Sequence, residues 1–380
     1  MTLHYYNFSH DIQLAAGSSV VNLSSNVRAL EHDLQPLACW LAHTGDQVVV
    51  SSDLLDDCDS FYAGTCAPRV KFVPHHSLPS SCDILPWGWD EGIVARLQRD
   101  AVDKKAMAIH LPDKSMLNTI RQLSSRSQVS MCLDALRQLL PEAPLCGQSV
   151  FCMSMEEVLQ AISRFNGRAV LKAPWSSSGR GIRFLLGQDE SAAMLWVDRL
   201  LRRKEGVEVQ EYCVKRNDWA MEFFVDTSGH VSFTGMSLFF TSPLSAYSGN
   251  VLASQEVLQG KWEEELPLSL LYDVRRAWEI LLSHWLKGKY TGPLGVDMMT
   301  CSAMDGSVML HPCVEINLRH TMGQLAVRLS DLFPALPEAR LLIRSSGAVS
   351  CEQLNWIPLT PLLPSTRFSA CIVWGSREGD

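Results

Sequence analysis

The chain has 380 residues, of which 47% are hydrophobic and 19% are charged. This balance is typical of a globular protein and argues against a largely disordered chain. The formal net charge of −8 argues against a sequence-independent nucleic-acid binder, because such a protein needs a basic surface.

The length of the chain and its cysteines indicate how many domains to expect and in which compartment the protein lies. A chain of this length predicts two or three domains of ordinary size. The 12 cysteines include no C-x-x-C pair, so neither a zinc ribbon nor a thioredoxin-like motif is indicated. The segment MTLHYYNFSHDIQ predicts no signal peptide, and no apolar run approaches the roughly 20 residues of a membrane span. We therefore expect a cytoplasmic protein with free, mostly buried thiols and no membrane partner.

The first third of the chain alternates predicted strands and helices. HYYNF is a short strand candidate, and the apolar spacing in VRALEHDLQPLACWLAHTG predicts a helix that stops near Gly45. DQVVVSS, RVKFVP and CDILPWGW are further strand candidates. This alternation predicts a small parallel sheet with helices on its faces. His75–His76 is either a metal pair or part of a polar loop, and the loop is favoured because adjacent side chains on an extended segment point to opposite faces.

The middle of the chain predicts a compact α+β pattern. KSMLNTIRQLS, QVSMCLDALRQLL and MEEVLQAISRF read as helices, RAVLKA and IRFLL as strands around a turn, and ESAAMLWVDRLLRR as a helix. After Gly206, VEVQEY, WAMEFFVD and HVSFTGMSLFF are predicted strands. The clearest helix is SLLYDVRRAWEILLSHWLKG, and the strands LGVDMMT and SVMLHPCVEIN follow it.

Two features of the middle segment suit a bound phosphate. The loop PWSSSGRGIRF has serines and glycines that let backbone N–H groups approach a phosphate, and Arg180 adds charge. It is not a Walker A loop, because it lacks G-K-[ST], and a polar hairpin is the alternative. Lys172 lies in the apolar strand before this loop, where a buried charge needs a partner such as a phosphate. A solvated lysine on an edge strand is the other interpretation.

The acidic residues near the end of the pattern suit a cation. Glu315 and Asn317 are two apart on a predicted strand and so share a face, and Asp297 lies in the preceding strand. If the two strands pair through the turn SAMDGS, three oxygen ligands meet on one wall, as Mg²⁺ prefers. Arg319 lies two residues further along the same face, within reach of a γ-phosphate. The alternative is polar residues at strand ends that contact water.

These motifs together resemble the ATP-grasp superfamily. A strand lysine, a Ser/Gly-rich loop, V-Q-E-Y, G-V-D and E-I-N-L-R follow one another in this order, and the resemblance covers about residues 115 to 335. E-I-N-L-R after G-V-D is its most specific part. The resemblance implies an α/β and α+β protein, with an ATP-grasp fold of two α+β subdomains preceded by a small Rossmann-like α/β domain.

The resemblance also implies a division of the chain into four parts. These are a pre-ATP-grasp α/β domain at 1–113, an N-terminal lid subdomain at 114–205, a C-terminal subdomain with the metal site at 206–335, and an extension at 336–380 that packs on the ATP-grasp module.

The resemblance assigns roles to individual residues. Lys172 contacts the phosphates and the adenine side, and Arg319 neutralises the transferring phosphoryl group. The implied lid consists of Ser176, Ser177, Ser178, Gly179, Arg180 and Gly181. The implied hinge runs from Glu208 to Tyr212, with Gln210, Glu211 and Tyr212 near the adenine. The implied magnesium ligands are Asp297, Glu315 and Asn317.

The chain departs from the family pattern at the first ATP lysine. The candidates for that position are Arg126 and Lys114, and Arg126 is favoured because it precedes an apolar helix. Arginine also holds a phosphate, with a different geometry. Asp218 is either a ribose or substrate contact or a surface strand residue.

The resemblance implies an ATP-dependent enzyme that uses Mg²⁺, with Mn²⁺ as an alternative ion. The expected reaction joins a carboxylate to an amine or similar nucleophile through an acyl phosphate. A small-molecule kinase on the same scaffold and a non-catalytic nucleotide-binding protein are the alternatives. The expected partners are small-molecule or peptide carboxylates and amines, with no nucleic acid, and the family often forms homodimers.

Overall fold

A computed structural model describes residues 1–79, 82–109, 111–176, 181–187, 190–242, 246–346 and 355–375. The chain divides into two compact units. Unit 1 comprises Met1–Arg121, Ser248–Ser254 and Arg319–Asp380, and unit 2 comprises Gln122–Tyr247 and Gln255–Leu318. Within the described part of the chain, no helix is both long and apolar enough to cross a membrane.

Helices and strands follow one another along the whole chain. The first third contains β1 (Thr2–Tyr5), α1 (His10–Ala16), α2 (Ser25–Leu34), α3 (Ala38–Leu41), β2 (Gln47–Val50), α4 (Leu55–Ala63), β3 (Lys71–Pro74), β4 (Asp83–Pro86), α5 (Glu91–Asp100), α6 (Lys104–Ile109) and α7 (Lys114–Leu123). The middle contains α8 (Val129–Leu139), β5 (Ser149–Cys152), α9 (Met155–Arg164), β6 (Ala169–Lys172), β7 (Ile182–Leu185), α10 (Ser191–Arg202), β8 (Val207–Glu211), β9 (Val214–Val225) and β10 (Val231–Thr241). The last third contains β11 (Tyr247–Leu252), α11 (Gln255–Glu263), α12 (Leu268–Leu286), β12 (Gly292–Ser302), β13 (Val308–Asn317), α13 (Met322–Leu332), β14 (Ala339–Ser345), β15 (Asn355–Pro358) and β16 (Phe368–Trp374).

The N-terminal part of unit 1 is a four-stranded parallel sheet in the order β3-β2-β1-β4. Alternate residues of β2 face opposite layers of the core, as the two-residue period of a strand requires. Val48 and Val50 belong to the cluster that contains Trp40, whereas Val49 packs with Ile93 of α5. The parallel sheet with helices on its faces confirms the prediction for this region.

One predicted helix of unit 1 is shorter than expected. The segment VRALEHDLQPLACWLAHTG contains α2, a 3-10 turn at Gln35–Leu37 and then α3. Pro36 explains the break, because proline has no N–H to donate and its ring clashes with the preceding turn. His75–His76 lies in another 3-10 turn rather than in an irregular loop, where Tyr5 Oη and His75 Nδ1 are 3.0 Å apart.

The rest of unit 1 is antiparallel. Strand β14 pairs with β11 and β16, and β15 pairs with β16. Thr321 begins α13 by accepting a hydrogen bond from Gln324 N at 3.0 Å, a standard N-cap contact. Residues 319–380 belong to the same unit as residues 1–121, and the four-part division of the chain stays a prediction.

Unit 2 contains an antiparallel sheet in the order β5-β8-β6-β7. Helices α9 and α10 bury Val158 and Val197 in one core cluster with Leu171 and Val209 of the sheet. A capping box at Ser154 begins α9, because the Ser154 and Glu157 side chains each bond to the other's backbone N–H.

The remaining strands of unit 2 lie in the order β13-β12-β9-β10, with antiparallel neighbours. Helix α12 lies nearby and buries Trp278, whose ring nitrogen donates to the backbone oxygen of Pro312 on β13 at 3.2 Å. The two sheets of unit 2 carry most of the residues to which the sequence assigned chemistry.

Candidate active site

Lys172, the predicted phosphate contact, is the last residue of β6 and is buried. Antiparallel pairing places it opposite Glu208 of β8, and its Nζ donates a hydrogen bond to the backbone oxygen of Val314 at 3.1 Å. Burial lowers the pKa of Lys172, while the negative charge of Glu208 opposes that shift. Part of the charge compensation that the sequence assigned to a phosphate therefore comes from a carboxylate of the protein itself.

Glu208 is the first residue of the predicted hinge, and the sequence analysis assigned it no contact of its own. Its Oε1 accepts hydrogen bonds from Ser149 Oγ at 2.7 Å and from Gln210 Nε2 at 2.9 Å. Its Oε2 is buried and has no hydrogen-bond partner among the described residues. Burial raises the pKa of Glu208 and the charge of Lys172 lowers it. Glu208 and Gln210 are two residues apart and share a face of β8, but the burial of that face follows from pairing with β5 and β6.

Arg126 lies in a 3-10 turn between α7 and α8 and is buried. Its Nη1 donates to the backbone oxygen of Ala173 and to Ser176 Oγ, both at 2.7 Å. Its Nη2 donates to Glu315 Oε1, also at 2.7 Å. The guanidinium thus ties the segment after β6 to the end of β13. Its predicted contact with a phosphate stays a prediction.

The two described ends of the predicted lid lie against each other. Ala173 N donates to the backbone oxygen of Gly181 at 2.8 Å. A Cβ atom at Gly181 would lie 2.3 Å from Ser176 Oγ, so this close approach requires glycine. The other predicted lid residues, Ser177, Ser178, Gly179 and Arg180, lie outside the described residues.

The structure brings the three predicted metal ligands together. Strands β12 and β13 form an antiparallel pair in which Asp297 lies directly opposite Glu315, so the two side chains share one face. Asn317 Nδ2 donates to Asp297 Oδ2 at 3.2 Å. Asp297 and Asn317 are partly exposed, and the Glu315 side chain is 25% exposed. Two carboxylates and one amide oxygen on a half-open face fit a magnesium ion that keeps some of its waters.

The predicted hinge residues have different surroundings. Gln210 is buried and also donates to the backbone oxygen of Val314 at 3.2 Å. Burial, followed by the nearby Cys213, raises the pKa of Glu211. The Tyr212 ring lies 4.9 Å from the guanidinium carbon of Arg168, a cation–π distance. Contacts of this segment with an adenine stay predictions.

The Asp218 side chain on β9 accepts hydrogen bonds from other side chains of the protein. Its Oδ2 accepts hydrogen bonds from Lys215 Nζ at 2.5 Å and from Thr241 Oγ1 at 2.9 Å. The Asp218 side chain is mostly buried. Whether Asp218 contacts a ribose or substrate or is only a strand residue stays a prediction.

Arg319 belongs to unit 1, where it forms a bidentate ion pair. Its Nε and Nη2 donate to the two carboxylate oxygens of Asp11 at 3.0 and 3.1 Å. Both side chains are largely buried. The predicted action of Arg319 on a transferring phosphoryl group stays a prediction. Lys114, the alternative to Arg126, lies exposed at the start of α7.

In unit 1 the segments NFSHD and LPWGWD, which follow β1 and include the end of β4, contact each other. Asn7 Nδ2 donates to the backbone oxygen of Gly88 at 2.8 Å and to Asp90 Oδ2 at 2.9 Å. His10 Nδ1 lies 3.0 Å from the same Asp90 oxygen. Because Asp90 also caps α5 through Ile93 N, this buried network fixes the ends of β1 and β4 against each other.

No family model matches this sequence, and no curated protein matches it. The fold, in contrast, resembles many solved structures. One is N5-carboxyaminoimidazole synthetase from Staphylococcus aureus, with 9% identity and a TM-score of 0.51 over 98% of this chain and 92% of that one.

Two carboxylase structures resemble the chain over a similar length. The biotin carboxylase domain dimer of 2-oxoglutarate carboxylase from Hydrogenobacter thermophilus, in complex with MgADP, ADP and bicarbonate, has 10% identity and a TM-score of 0.50 over 98% of this chain and 86% of that one. A biotin carboxylase–beta-gamma-ATP complex from Campylobacter jejuni has 11% identity and a TM-score of 0.50 over 98% of this chain and 87% of that one. The likeness thus concerns the fold of nearly the whole chain.

Proposed function

Since the chain has the ATP-grasp fold that its sequence predicted, we propose that it is an ATP- and Mg²⁺-dependent ligase. The proposed reaction joins a carboxylate to an amine or a similar nucleophile. The carboxylate attacks the γ-phosphate of ATP, which gives an acyl phosphate and ADP. The amine then attacks the acyl carbon and releases phosphate. The carboxylase structures bound to MgADP with bicarbonate, or to an ATP analogue, support this class of reaction.

The observation that carries this proposal is the oxygen set on the β12–β13 hairpin. Asp297 and Glu315 face each other in register, and Asn317 contacts Asp297. Two carboxylates so close together repel each other unless a cation or hydrogen-bond donors compensate them. Arg126 compensates one of them from one side, and a magnesium ion held by the three oxygens would compensate both.

Lys172 and Glu208 also have parts in this proposal. Lys172 is held at the end of β6 by burial and by the backbone oxygen of Val314, so its ammonium group has a fixed position from which to bind a phosphate oxygen. Glu208 opposes the loss of the Lys172 charge. Magnesium, when bound, would neutralise charge on the phosphates.

One observation favours the non-catalytic alternative. Arg126, the proposed replacement for a family lysine, already donates to Ala173, Ser176 and Glu315. Because these hydrogen bonds already use donors of the guanidinium, fewer of its donors can bind a phosphate than in a flexible lysine. If the protein binds nucleotide without turnover, this use of its donors supplies the physical reason.

The setting and the partners are proposed with the reaction. The eleven cysteines that the structure describes are all free thiols, which is usual for a reducing cytoplasm. We propose small-molecule or peptide carboxylates and amines as substrates. A homodimer is proposed by analogy with the Hydrogenobacter thermophilus domain dimer, and sedimentation of the full chain tests it.

Calorimetric titration with a non-hydrolysable ATP analogue, with and without Mg²⁺, tests the proposal. The wild type should bind in a magnesium-dependent way. In Glu315→Gln, which keeps the shape and removes the charge, magnesium-dependent affinity should fall more than about 10-fold, because even outer-shell partners of a metal contribute that much. Binding of equal strength in both proteins would remove the magnesium assignment.

A matched variant and a turnover assay complete this experiment. Glu279→Gln removes another unit 2 carboxylate that pairs with an arginine, Arg275 at 3.0 Å, and should bind like the wild type. A screen of carboxylates and amines then follows ADP and phosphate. Joint release only with both substrates supports the ligase, and ADP release with a single alcohol or phosphate substrate supports the kinase. Binding without turnover supports the non-catalytic protein.

A further inference from the structure

Three cysteines from separate segments of unit 2 meet in space. Cys146 precedes β5, Cys213 joins β8 to β9, and Cys301 is near the end of β12. Their three sulphur atoms all lie within 4.8 Å of one another. In a tetrahedral zinc–thiolate centre with bonds of ~2.3 Å, neighbouring sulphurs are ~3.8 Å apart. The observed cluster is therefore close to the size that one such cation needs.

Backbone pairing, and not the thiols themselves, holds these segments in place. Cys146 N donates to the backbone oxygen of Leu310 at 2.8 Å, and Leu310 N donates to Pro144 O at 2.9 Å. Cys301 lies opposite Lys215 in the pairing of β12 with β9, which begins directly after Cys213. Because the fold itself gathers the sulphurs, a cation would find them pre-organised.

A buried histidine with unused nitrogens lies beside the cluster. His311 on β13 is 0% exposed, and neither of its ring nitrogens has a hydrogen-bond partner among the described residues. A neutral imidazole has one N–H donor and one acceptor, and leaving both unpaired in the interior is unfavourable. A metal ion that accepts the lone pair of one nitrogen would compensate part of this cost.

Gly147 shows how close the ring is to the cluster. It follows Cys146 directly in the chain. A Cβ atom at Gly147 would lie 2.0 Å from Cδ2 and 2.2 Å from Nε2 of His311. The residue that follows one cysteine of the cluster therefore lies against the histidine ring.

We propose that Cys146, Cys213 and Cys301 bind one soft divalent cation of the zinc class, with His311 as the fourth ligand. The imidazole is outside the set of atoms within 4.8 Å of one another, so it must move towards the sulphurs when the cation binds. Three sulphurs and one nitrogen form a typical structural zinc set, and this set discriminates against magnesium, which prefers oxygen ligands. Cys146 and Cys213 are half-buried, which gives the cation a path of entry.

Metal analysis of the full-length protein, with any affinity tag removed, tests this proposal. Mass spectrometry of the native protein and elemental analysis should find one zinc ion per chain. In Cys213→Ser the zinc affinity, measured by competition with a chromophoric chelator, should fall at least about 10-fold, since loss of a ligand costs more than loss of an outer-shell partner. Cys213 is half-buried, so this variant is expected to fold. Cys152→Ala, which removes a unit 2 thiol outside the cluster, should keep its zinc.

Cobalt substitution and two histidine variants test the ligand set without any activity assay. Co²⁺ added to the metal-free protein should give thiolate-to-cobalt charge-transfer absorption, and Cys213→Ser should lose it. His311→Gln should weaken zinc binding at least about 10-fold, whereas His320→Gln, which changes another buried histidine of low exposure, should not. These readouts need no nucleotide, so they fail or succeed independently of the proposed ligase.

Three results would overturn the proposal. The first is protein that contains no transition metal and takes up none at micromolar zinc. The second is equal zinc affinity in the wild type and Cys213→Ser. The third is a disulfide between two of the three cysteines in freshly purified protein, which would make the cluster a redox pair. Zinc binding unchanged in His311→Gln would overturn the role of the histidine.

Discussion

The two ends of the β12–β13 hairpin carry donor atoms of opposite chemical character. One end presents oxygen atoms from Asp297, Glu315 and Asn317. The other presents the sulphur of Cys301 and the imidazole of His311. Cys301 lies four residues after Asp297 on β12, which is about 13 Å along a strand. The same two strands therefore carry the ligands of the proposed magnesium site and of the proposed zinc site without mixing them.

The oxygen ligands and the sulphur ligands are brought together in different ways. The oxygen set comes from two consecutive strands, so one register fixes it. The sulphur set also needs Cys146 and Cys213 from other parts of unit 2, and three strand pairings gather it. Ligand type then decides which cation each set prefers.

The largest expected effect is at the oxygen end. Asp297→Asn keeps the side-chain shape and removes one charge from the proposed magnesium set. We expect magnesium-dependent affinity for an ATP analogue to fall at least about 100-fold, because outer-shell partners alone contribute about 10- to 100-fold. Calorimetric titration with and without Mg²⁺ measures this change.

The control for this variant lies on the same hairpin. Asp305→Asn makes the same chemical change in the turn, where Asp305 accepts a hydrogen bond from Ser307 Oγ, and should leave nucleotide binding unchanged. Zinc content should be the same in both variants. A loss of zinc in Asp297→Asn would show that the two ends are coupled and would break the comparison.

The second effect concerns stability in the presence of each cation. A ligand that binds only the folded state at 100 times its dissociation constant stabilises it by about 2.7 kcal/mol. Zinc at that level should raise the free energy of unfolding of the metal-free protein by this amount. Magnesium at the same concentration, without nucleotide, should leave the urea midpoint unchanged.

The Cys213→Ser variant separates a specific zinc effect from a general one. It should show no stabilisation by zinc. If zinc stabilises this variant as strongly as the wild type, the cation acts somewhere other than at the three cysteines.

The oxygen end could be predicted from the sequence, and the sulphur end could not. Glu315 and Asn317 are two apart, and Asp297 precedes them by one short turn, so local alternation and one hairpin suffice. The break between α2 and α3 also has a local signal, which is Pro36 itself. The apolar spacing continues across this proline and therefore favoured one long helix.

The cysteines carry no comparable signal. Cys146, Cys213 and Cys301 are 67 and 88 residues apart in sequence, and without a C-x-x-C pair nothing local links them. The same applies to Glu208, whose burial follows from pairing with β5 and β6 rather than from its own segment. Long-range strand order decides both, and single-sequence patterns do not contain it.

The third effect tests how the histidine is positioned at the sulphur end. Gly147 has a positive φ of 79° and lies against the His311 ring. Gly147→Ala strains the backbone and displaces the imidazole. We expect zinc affinity to fall about 10-fold, comparable to the loss of an outer-shell partner, and competition with a chromophoric chelator measures it.

Gly167→Ala is the matched control for backbone strain. Gly167 also has a positive φ, of 76°, and a Cβ atom there has no neighbour within 4 Å. Both variants should lose stability, but only Gly147→Ala should lose zinc affinity. Equal zinc affinities in the two would mean that the ring position does not matter to the site.

The smallest expected effect concerns Arg126, whose guanidinium pairs with Glu315 at the oxygen end. Arg126 donates to Glu315 at 2.7 Å, and their side chains are 4% and 25% exposed. A double-mutant cycle with Arg126→Met and Glu315→Gln, followed by urea unfolding, isolates the coupling between them. Because Glu315 is partly solvated, we expect a coupling energy of about 1 kcal/mol rather than the larger values of fully buried pairs.

The same cycle on Arg275 and Glu279 of α12, a more exposed pair, should give a coupling energy of about 0.3–0.5 kcal/mol. If the Arg126 pair gives no more than the helix pair, the guanidinium does not compensate Glu315, and the oxygen end depends on a bound cation alone.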